Sequence, residues 1–215
     1  MIFVEPDRVN LSELIEEQRE VADRVKFRAL RIEKIERICG VDVAYSKDMA
    51  IACAAIWSMN KKSIESGALY RSHTKFPYVS GFLYKRELDI MLNSINKLKV
   101  APDLILVDGH GIAHPRKAGL AVFVGVELGI PTIGVAKSLL IGEIGEISGI
   151  FSPITIKGKK VGFLIKKKGS RKYFASPGNL VRLDDIPSIA SIWNYEYPPP
   201  LRYADKLSRR KATIE

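Results

Sequence analysis

The sequence predicts an α/β fold: one domain built on a mixed β-sheet flanked by helices. Three observations carry this. Short β-type runs joined by polar turns fill residues 38–71, the pattern of an antiparallel meander. Helical and strand patterns then alternate over residues 82–137, which implies a parallel part to the sheet. Between them, Leu104-Ile105-Leu106-Val107 is an apolar run too short for a helix and bounded by Pro102 and Gly109, so it reads as a buried strand. It ends on a carboxylate, Asp108, and leads into a loop bearing two glycines and then His114, Arg116 and Lys117. The end of a buried strand, followed by a loop whose glycines let backbone approach a ligand, is where α/β sheets place their chemistry.

Composition narrows the class. The 215 residues suffice for one large domain, and a hydrophobic content of 47% supports a packed core. Lys and Arg number 34 against 24 Asp and Glu, a formal charge of +10 that points to a polyanionic partner, most simply nucleic acid. Cys39 and Cys53 each sit among apolar residues and read as buried thiols rather than a disulfide or half a zinc site. The polar, acidic N-terminus has no signal-peptide pattern, and no apolar run reaches the length of a membrane span. The expectation is a soluble cytoplasmic protein with no membrane partner.

Taken in order, Asn10 stands three residues before Glu13, a variant capping box, and Leu11, Leu14, Ile15, Val21, Ala22 and Val25 recur at helical spacing. Residues 26–37 are mostly charged and define no clear element. A strand follows over 38–45, interrupted by Asp42; Ser46-Lys47-Asp48 is a turn, and further strands run over 49–57 and 64–71. Asp42 lies mid-strand in apolar company. A buried carboxylate needs compensation, from a salt bridge or from a metal. Phe76-Pro77-Tyr78-Val79-Ser80-Gly81 is a loop with an aromatic tip. Phe82 to Leu98 then repeat at helical spacing. Glu87 lies four residues from both Leu83 and Met91, which puts it on or beside the buried face; a snorkelling edge residue is the alternative.

Gly119 to Gly125 reads as a small-residue helix packed closely on the sheet, and Ile130 to Lys137 as another buried strand, this one ending on a cation. Residues 154–174 form a basic meander with lysines clustered at its turns. Solvated strand edges blunted by Lys explain such a pattern, and so does a ribbon that contacts phosphates. Ser176-Pro177-Gly178-Asn179 closes it. A short helix over 186–193, a stiff Tyr197-Pro198-Pro199-Pro200 connector and a last basic helix over 203–210 complete the chain.

Three antiparallel strands, a helix and a fourth strand beside the first is the RNase H-like order. It makes the first and fourth strands neighbours, so Asp42 and Asp108 face one site that Glu87 can reach from its helix. Three converging carboxylates repel and raise one another's pKa unless a cation intervenes. Hard oxygen ligands with few His favour Mg²⁺ or Mn²⁺ over zinc, and such ions activate water and stabilise the leaving 3′-oxygen in phosphodiester cleavage. His110 and His114 have the spacing of a helical zinc pair, but Gly109, Gly111 and Pro115 make a helix there improbable. His114 suits a role beside the scissile phosphate, as proton donor or water orienter, and Lys137 suits holding that phosphate.

The chain resembles the endonuclease V family. The matching pieces are Gly40-Val41-Asp42-Val43-Ala44-Tyr45, Pro77-Tyr78-Val79-Ser80-Gly81 with Arg86-Glu87, Asp108-Gly109-His110-Gly111-Ile112-Ala113-His114-Pro115-Arg116, Gly134-Val135-Ala136-Lys137-Ser138, Ser176-Pro177-Gly178 and Leu201-Arg202-Tyr203-Ala204-Asp205. The resemblance implies an RNase H-like fold and a Mg²⁺-dependent nuclease, with Mn²⁺ as a substitute. It implies action on deoxyinosine-containing DNA, single- or double-stranded; a monomer is expected. The nick would fall at the second phosphodiester bond 3′ to the lesion and leave 3′-hydroxyl and 5′-phosphate. By motif position Asp42, Asp108 and Glu87 would hold metal, and His114 and Lys137 would assist at the phosphate. Pro77, Tyr78, Val79 and Ser80 would form a strand-separating wedge, with Tyr78 stacking into the duplex. Gly81, Leu83, Gly111 and Gly119 would line the base pocket.

One departure stands out: many members carry His after Ser-Pro-Gly, where this chain has Asn179. Some relatives prefer inosine in RNA, which a contact to the 2′-hydroxyl would decide. The competing readings are an inosine-directed ribonuclease or a junction resolvase on the same fold and, from another class, a nucleic-acid-binding protein without catalysis.

Overall fold

A single nine-stranded sheet organises the chain, in the order β3-β2-β1-β4-β5-β9-β8-β7-β6. The computed structural model describes residues 10–47, 49–74 and 76–213; Asp48, the last residue of the expected 46–48 turn, lies outside them. The strands are β1 (Arg37–Ser46), β2 (Met49–Ser58), β3 (Ser63–His73), β4 (Leu104–Asp108), β5 (Thr132–Ala136), β6 (Glu143–Ile144), β7 (Phe151–Ile156), β8 (Lys159–Ile165) and β9 (Tyr173–Pro177). β1, β2 and β3 pair antiparallel as the meander predicts, and β4 lies parallel to both β1 and β5. The RNase H-like order therefore holds.

Helices cover both faces: α1 (Leu11–Asp23), α2 (Leu83–Asn96) and α3 (Leu120–Leu128) on one, α4 (Asp185–Ser191) and α5 (Pro199–Thr213) on the other. Asn10 caps α1 as expected, its side chain accepting from the Glu13 N–H at 3.4 Å. The period-2 alternation of β1 sorts its side chains between the two layers. Cys39 and Val41 enter the core beneath α1–α3, whereas Ala44 packs with Ala212 of α5 and Gly40 faces Pro200. A Cβ on Gly40 would stand 2.4 Å from the Pro200 carbonyl carbon, so α5 sits this close only because that residue has no side chain. α3 is buried along Leu120–Gly125, and Phe123 stacks on Tyr84 of α2 with ring centroids 3.8 Å apart. Each such aromatic removed from water contributes about 1.5–3 kcal/mol. Both cysteines are free and buried, as expected. Among the described residues no helix is long and apolar enough to cross a membrane.

Several expectations need correction. The expected connector 197–200 already contains the start of α5, because prolines at 199 and 200 fall in the first turn, where no N–H is needed. The strand β9 runs through Pro177 rather than closing before it. Residues 26–37 hold a short 3₁₀ turn, Ile32–Lys34, and are laced to the segment after β9: Lys26 N–H donates to Asn179 Oδ1 at 2.9 Å and Leu30 N–H to Asp185 at 3.2 Å. The short strand β6 was not anticipated; it makes the meander's outer margin, so β7, β8 and β9 are interior strands.

Candidate active site

Asp42 and Asp108 come together because β1 and β4 are parallel neighbours whose even-numbered residues here face α5. A third carboxylate joins them from α5: ligand oxygens of Asp42, Asp108 and Asp205 all lie within 4.8 Å of one another. Asp205 was not among the expected site residues, although it ends the last of the matching sequence pieces. Ser208, one turn further along α5, donates to Asp42 Oδ2 at 3.1 Å.

Lys137, the residue immediately after β5, closes the cluster. Its ammonium donates to Asp108 and, at 3.0 Å, to Asp205. Arg209 donates to the same Asp205 carboxylate at 3.0 Å. Burial raises the pKa of Asp42 strongly, and the neighbouring Asp108 raises it further. Burial works to lower the Lys137 pKa, but Asp108, Asp205 and Asp42 outweigh it and the net shift is upward. Burial likewise opposes ionisation of Asp205, yet Lys137 and Arg209 hold its pKa below the usual value. The result is a set of carboxylate oxygens already gathered around one cation, in which Asp42 ionises fully only when further positive charge is supplied. Such a set fits a hard divalent ion.

Glu87 stands apart from this set. It is buried on α2, across the sheet, where Tyr45 Oη donates to it at 2.7 Å. Tyr45 is odd-numbered in β1 and Asp42 even, so the two side chains leave opposite faces. Burial pushes Glu87 up to about 7, opposed by the Tyr45 hydrogen bond, and Asp108 and Lys137 act on it only through space.

On the α1–α3 side a pocket of about 300 Å³ opens beside the cluster, and Asp108 and Lys137 form its shared edge. Gly81, Leu83, Gly119 and Tyr78 line it. Gly111 does not; it is buried behind the wall against the Pro177 backbone, where a Cβ would lie 2.0 Å from the Pro177 carbonyl oxygen. Tyr78 is 71% exposed at the loop tip, while Phe76 and Val79 pack onto the core and fix the loop's base.

The Gly81 carbonyl ties that loop down. It accepts from Gln18 Nε2 at 2.8 Å, His114 Nε2 at 3.0 Å and Arg116 Nη2 at 3.2 Å. Gly81 itself has φ +81°, a conformation that favours glycine. His114 lines the pocket but is only 3% exposed. Its Nε2 must carry the proton, since a carbonyl only accepts, and its Nδ1 accepts from the Arg116 N–H at 3.3 Å. Both ring nitrogens are thus engaged within the chain. Burial lowers its pKa to about 4, and burial does the same to His110 on the pocket wall. His114 thus lines the same pocket as Asp108 and Lys137 with neither ring nitrogen free.

A sequence profile of the Endonuclease V family matches residues 19–206. The chain belongs to the endonuclease V family. It is 40% identical to the endonuclease V of Sulfurisphaera tokodaii over 196 residues, 91% of this chain and 93% of that one. The solved endonuclease V structure from Streptomyces avermitilis superposes with a TM-score of 0.87 at 32% identity, over 94% of this chain and 93% of that one. A Ciona intestinalis endonuclease V, solved in complex with a 24mer DNA containing an inosine followed by a ribo-adenosine, gives 0.84 at 26% identity over 95% and 99%. In this endonuclease V chain the residue after Ser-Pro-Gly, Asn179, has a scaffold role. It is buried, and its amide donates to the Gly125 carbonyl at 2.9 Å, away from the pocket.

Proposed function

We propose that this protein, acting as a monomer, nicks DNA at the second phosphodiester bond 3′ to a deoxyinosine, leaving 3′-hydroxyl and 5′-phosphate ends, with Mg²⁺ as its ion and Mn²⁺ as a substitute. The observation that carries the reading is the shared edge formed by Asp108, which belongs both to the carboxylate cluster and to the wall of the pocket. A base held in the pocket thus lies beside the carboxylates that would serve its own strand. The Ciona relative solved with inosine-containing DNA supports the choice of base.

Asp42, Asp108 and Asp205 would hold the ion, which when bound supplies an activated water and stabilises the charge on the leaving oxygen. Lys137 contributes a fixed positive charge at the edge facing the phosphate. Glu87, buried on the other face with its Tyr45 partner, would act on the cluster only through space, by its charge. His114 acts as a positioning residue: as a neutral imidazole it holds the Gly81 carbonyl, and with it the loop Pro77–Ser80, against the pocket. Tyr78 at the tip of that loop replaces the stacking partner of the extruded base. Gly81 and Gly119 would contribute to the pocket wall beside the base edge.

The test is a nicking assay on a labelled strand with one deoxyinosine, its unmodified twin and the matching RNA. The reading predicts one metal-dependent nick, two bonds 3′ of the lesion, in the DNA alone. The Ciona relative's ligand carries a ribose after its inosine, so cutting confined to the RNA would transfer the same chemistry to inosine RNA. A folded protein that cuts no strand with either ion would contradict the reading and favour a binding protein.

A further inference from the structure

One strongly charged feature has no part in the site above. Between Glu146 and Asp184 the chain holds no acid, and the β8–β9 loop packs Lys166, Lys167, Lys168, Arg171 and Lys172 into seven residues. Lys167 meets Glu196 at 3.5 Å. Lys166, Lys168, Arg171 and Lys172 are exposed and have no acidic partner among the described residues. The loop is a defined turn: Gly169 has φ +80°, Ser170 N–H donates to the Lys167 carbonyl at 3.1 Å and Lys166 N–H to the Ile150 carbonyl at 2.9 Å. Edge protection does not explain these lysines, because β8 and β9 are both interior strands.

Register places this loop at the active-site end of the sheet. Asp108 ends β4 beside Val135; Ala136, just before Lys137, pairs with Phe174; and Tyr173 pairs with Ile165, the residue before the loop. From β5 to β8 is two strand spacings, about 10 Å, or roughly three nucleotides at the ~3.4 Å rise of one strand. The β7–β8 turn, at Lys157 and Gly158, lies at the opposite end. The loop also reaches the segment that leads into α5, where Lys167 meets Glu196, three residues before that helix begins. The carboxylate cluster, the pocket edge at Asp108 and Lys137, and the cationic loop thus share one end of the sheet.

We propose that the Lys166–Lys172 loop binds the backbone phosphates of the strand segment 3′ of the scissile bond. This rests on the function proposed above, in which the base occupies the pocket and the nick falls on its 3′ side. A strand leaving the cluster in that direction runs over the loop. The contacts are to phosphates alone, so they add affinity and hold the strand in register without reading sequence.

The test compares a loop variant combining Lys166→Gln, Lys168→Gln, Arg171→Gln and Lys172→Gln with a control combining Lys157→Gln, Lys159→Gln and Lys160→Gln at the far turn. Binding is measured with Mg²⁺ on deoxyinosine strands whose scissile phosphate is replaced by an uncharged methylphosphonate, with short or long 3′ flanks, across a salt series. The loop variant should lose about one to two orders of magnitude in affinity on the long flank, with a log–log salt slope shallower by up to about 3. On the short flank it should match the wild type, and the control should behave as wild type on both. An unchanged slope would overturn the proposal. So would equal losses on both flanks, or equal losses in the control, either of which would mean that net charge alone is responsible. Failure of the nuclease reading would show separately, as wild-type protein that does not nick the cleavable strand whatever its flank; the flank comparison would still decide the loop's role.

Discussion

Lys137 Nζ donates to Asp205 Oδ1 at 3.0 Å, joining the end of β5 to the last helix across the carboxylate cluster. The ammonium stands between the acids contributed by β4 and α5. The site is therefore assembled from parts of the chain far apart in sequence, and its geometry depends on how closely α5 lies against β1.

That dependence predicts the effect of Gly40→Ala. The new Cβ would sit 2.4 Å from the Pro200 carbonyl carbon and 2.5 Å from the Leu201 nitrogen, both backbone atoms. The helix must shift, at a cost of about 1–3 kcal/mol or more. Urea denaturation should show that loss. Nicking should fall further than the unfolded fraction accounts for, because Asp205 moves with α5.

Tyr78→Ala isolates the loop tip. The side chain is 71% exposed, so the melting temperature should scarcely move, with under about 0.5 kcal/mol lost. Affinity for a deoxyinosine duplex should drop by the ~1–3 kcal/mol of one base–aromatic stack. Unaltered affinity, measured by fluorescence anisotropy, would remove the wedge role.

The pH dependence of stability separates metal-free from metal-bound protein. Asp42 and Glu87 have raised pKa values, Glu87 about 7. Above their unfolded values, near 3.8 and 4.5, the folded state binds more protons than the unfolded chain, and stability falls as pH rises. His110 and His114, lowered from 6.5 to about 4, act in the opposite sense, but only below 6.5. From about pH 6.5 upward the carboxylates act alone, so the melting temperature without metal should fall. With saturating Mg²⁺ the fall should shrink, since the ion displaces the Asp42 proton and binds more tightly as it leaves, and only the share due to Glu87 remains. Parallel curves with and without Mg²⁺ would contradict the assignment.

Much of this site was legible in the sequence, for physical reasons that also mark where legibility ended. The β4 strand and its terminal Asp108 stood out because a short apolar run between Pro102 and Gly109 has few other conformations open to it. The loop Pro77–Gly81 announced itself through proline and glycine. Asp205 did not, because Leu201-Arg202-Tyr203-Ala204-Asp205 in a basic helix looks like an ordinary solvated face. The available signals were its place at the end of a family-matching piece and Gly40 in mid-strand, the mark of a close backbone approach. Spacing left Glu87 on or beside the buried face of its helix, with a snorkelling edge residue as the alternative; it is buried, but burial alone does not say which side of the sheet that helix covers. Its Tyr45 partner, three residues and one face away from Asp42, separates it from the three aspartates. His114 read as a free acid–base group because sequence does not show that the Gly81 carbonyl and the Arg116 N–H occupy both its nitrogens.

The central claim is that Asp42, Asp108 and Asp205, rather than Glu87, form the ion site. Calorimetric titration of Mg²⁺ or Mn²⁺ into Asp205→Ala and Glu87→Gln, alongside nicking of the deoxyinosine strand, tests it most directly. Asp205→Ala should lose the binding heat and slow nicking by about two to three orders of magnitude. Glu87→Gln, which keeps its shape and its Tyr45 contact, should bind the ion as wild type does. Full ion binding by Asp205→Ala, with loss of binding in Glu87→Gln, would contradict the account.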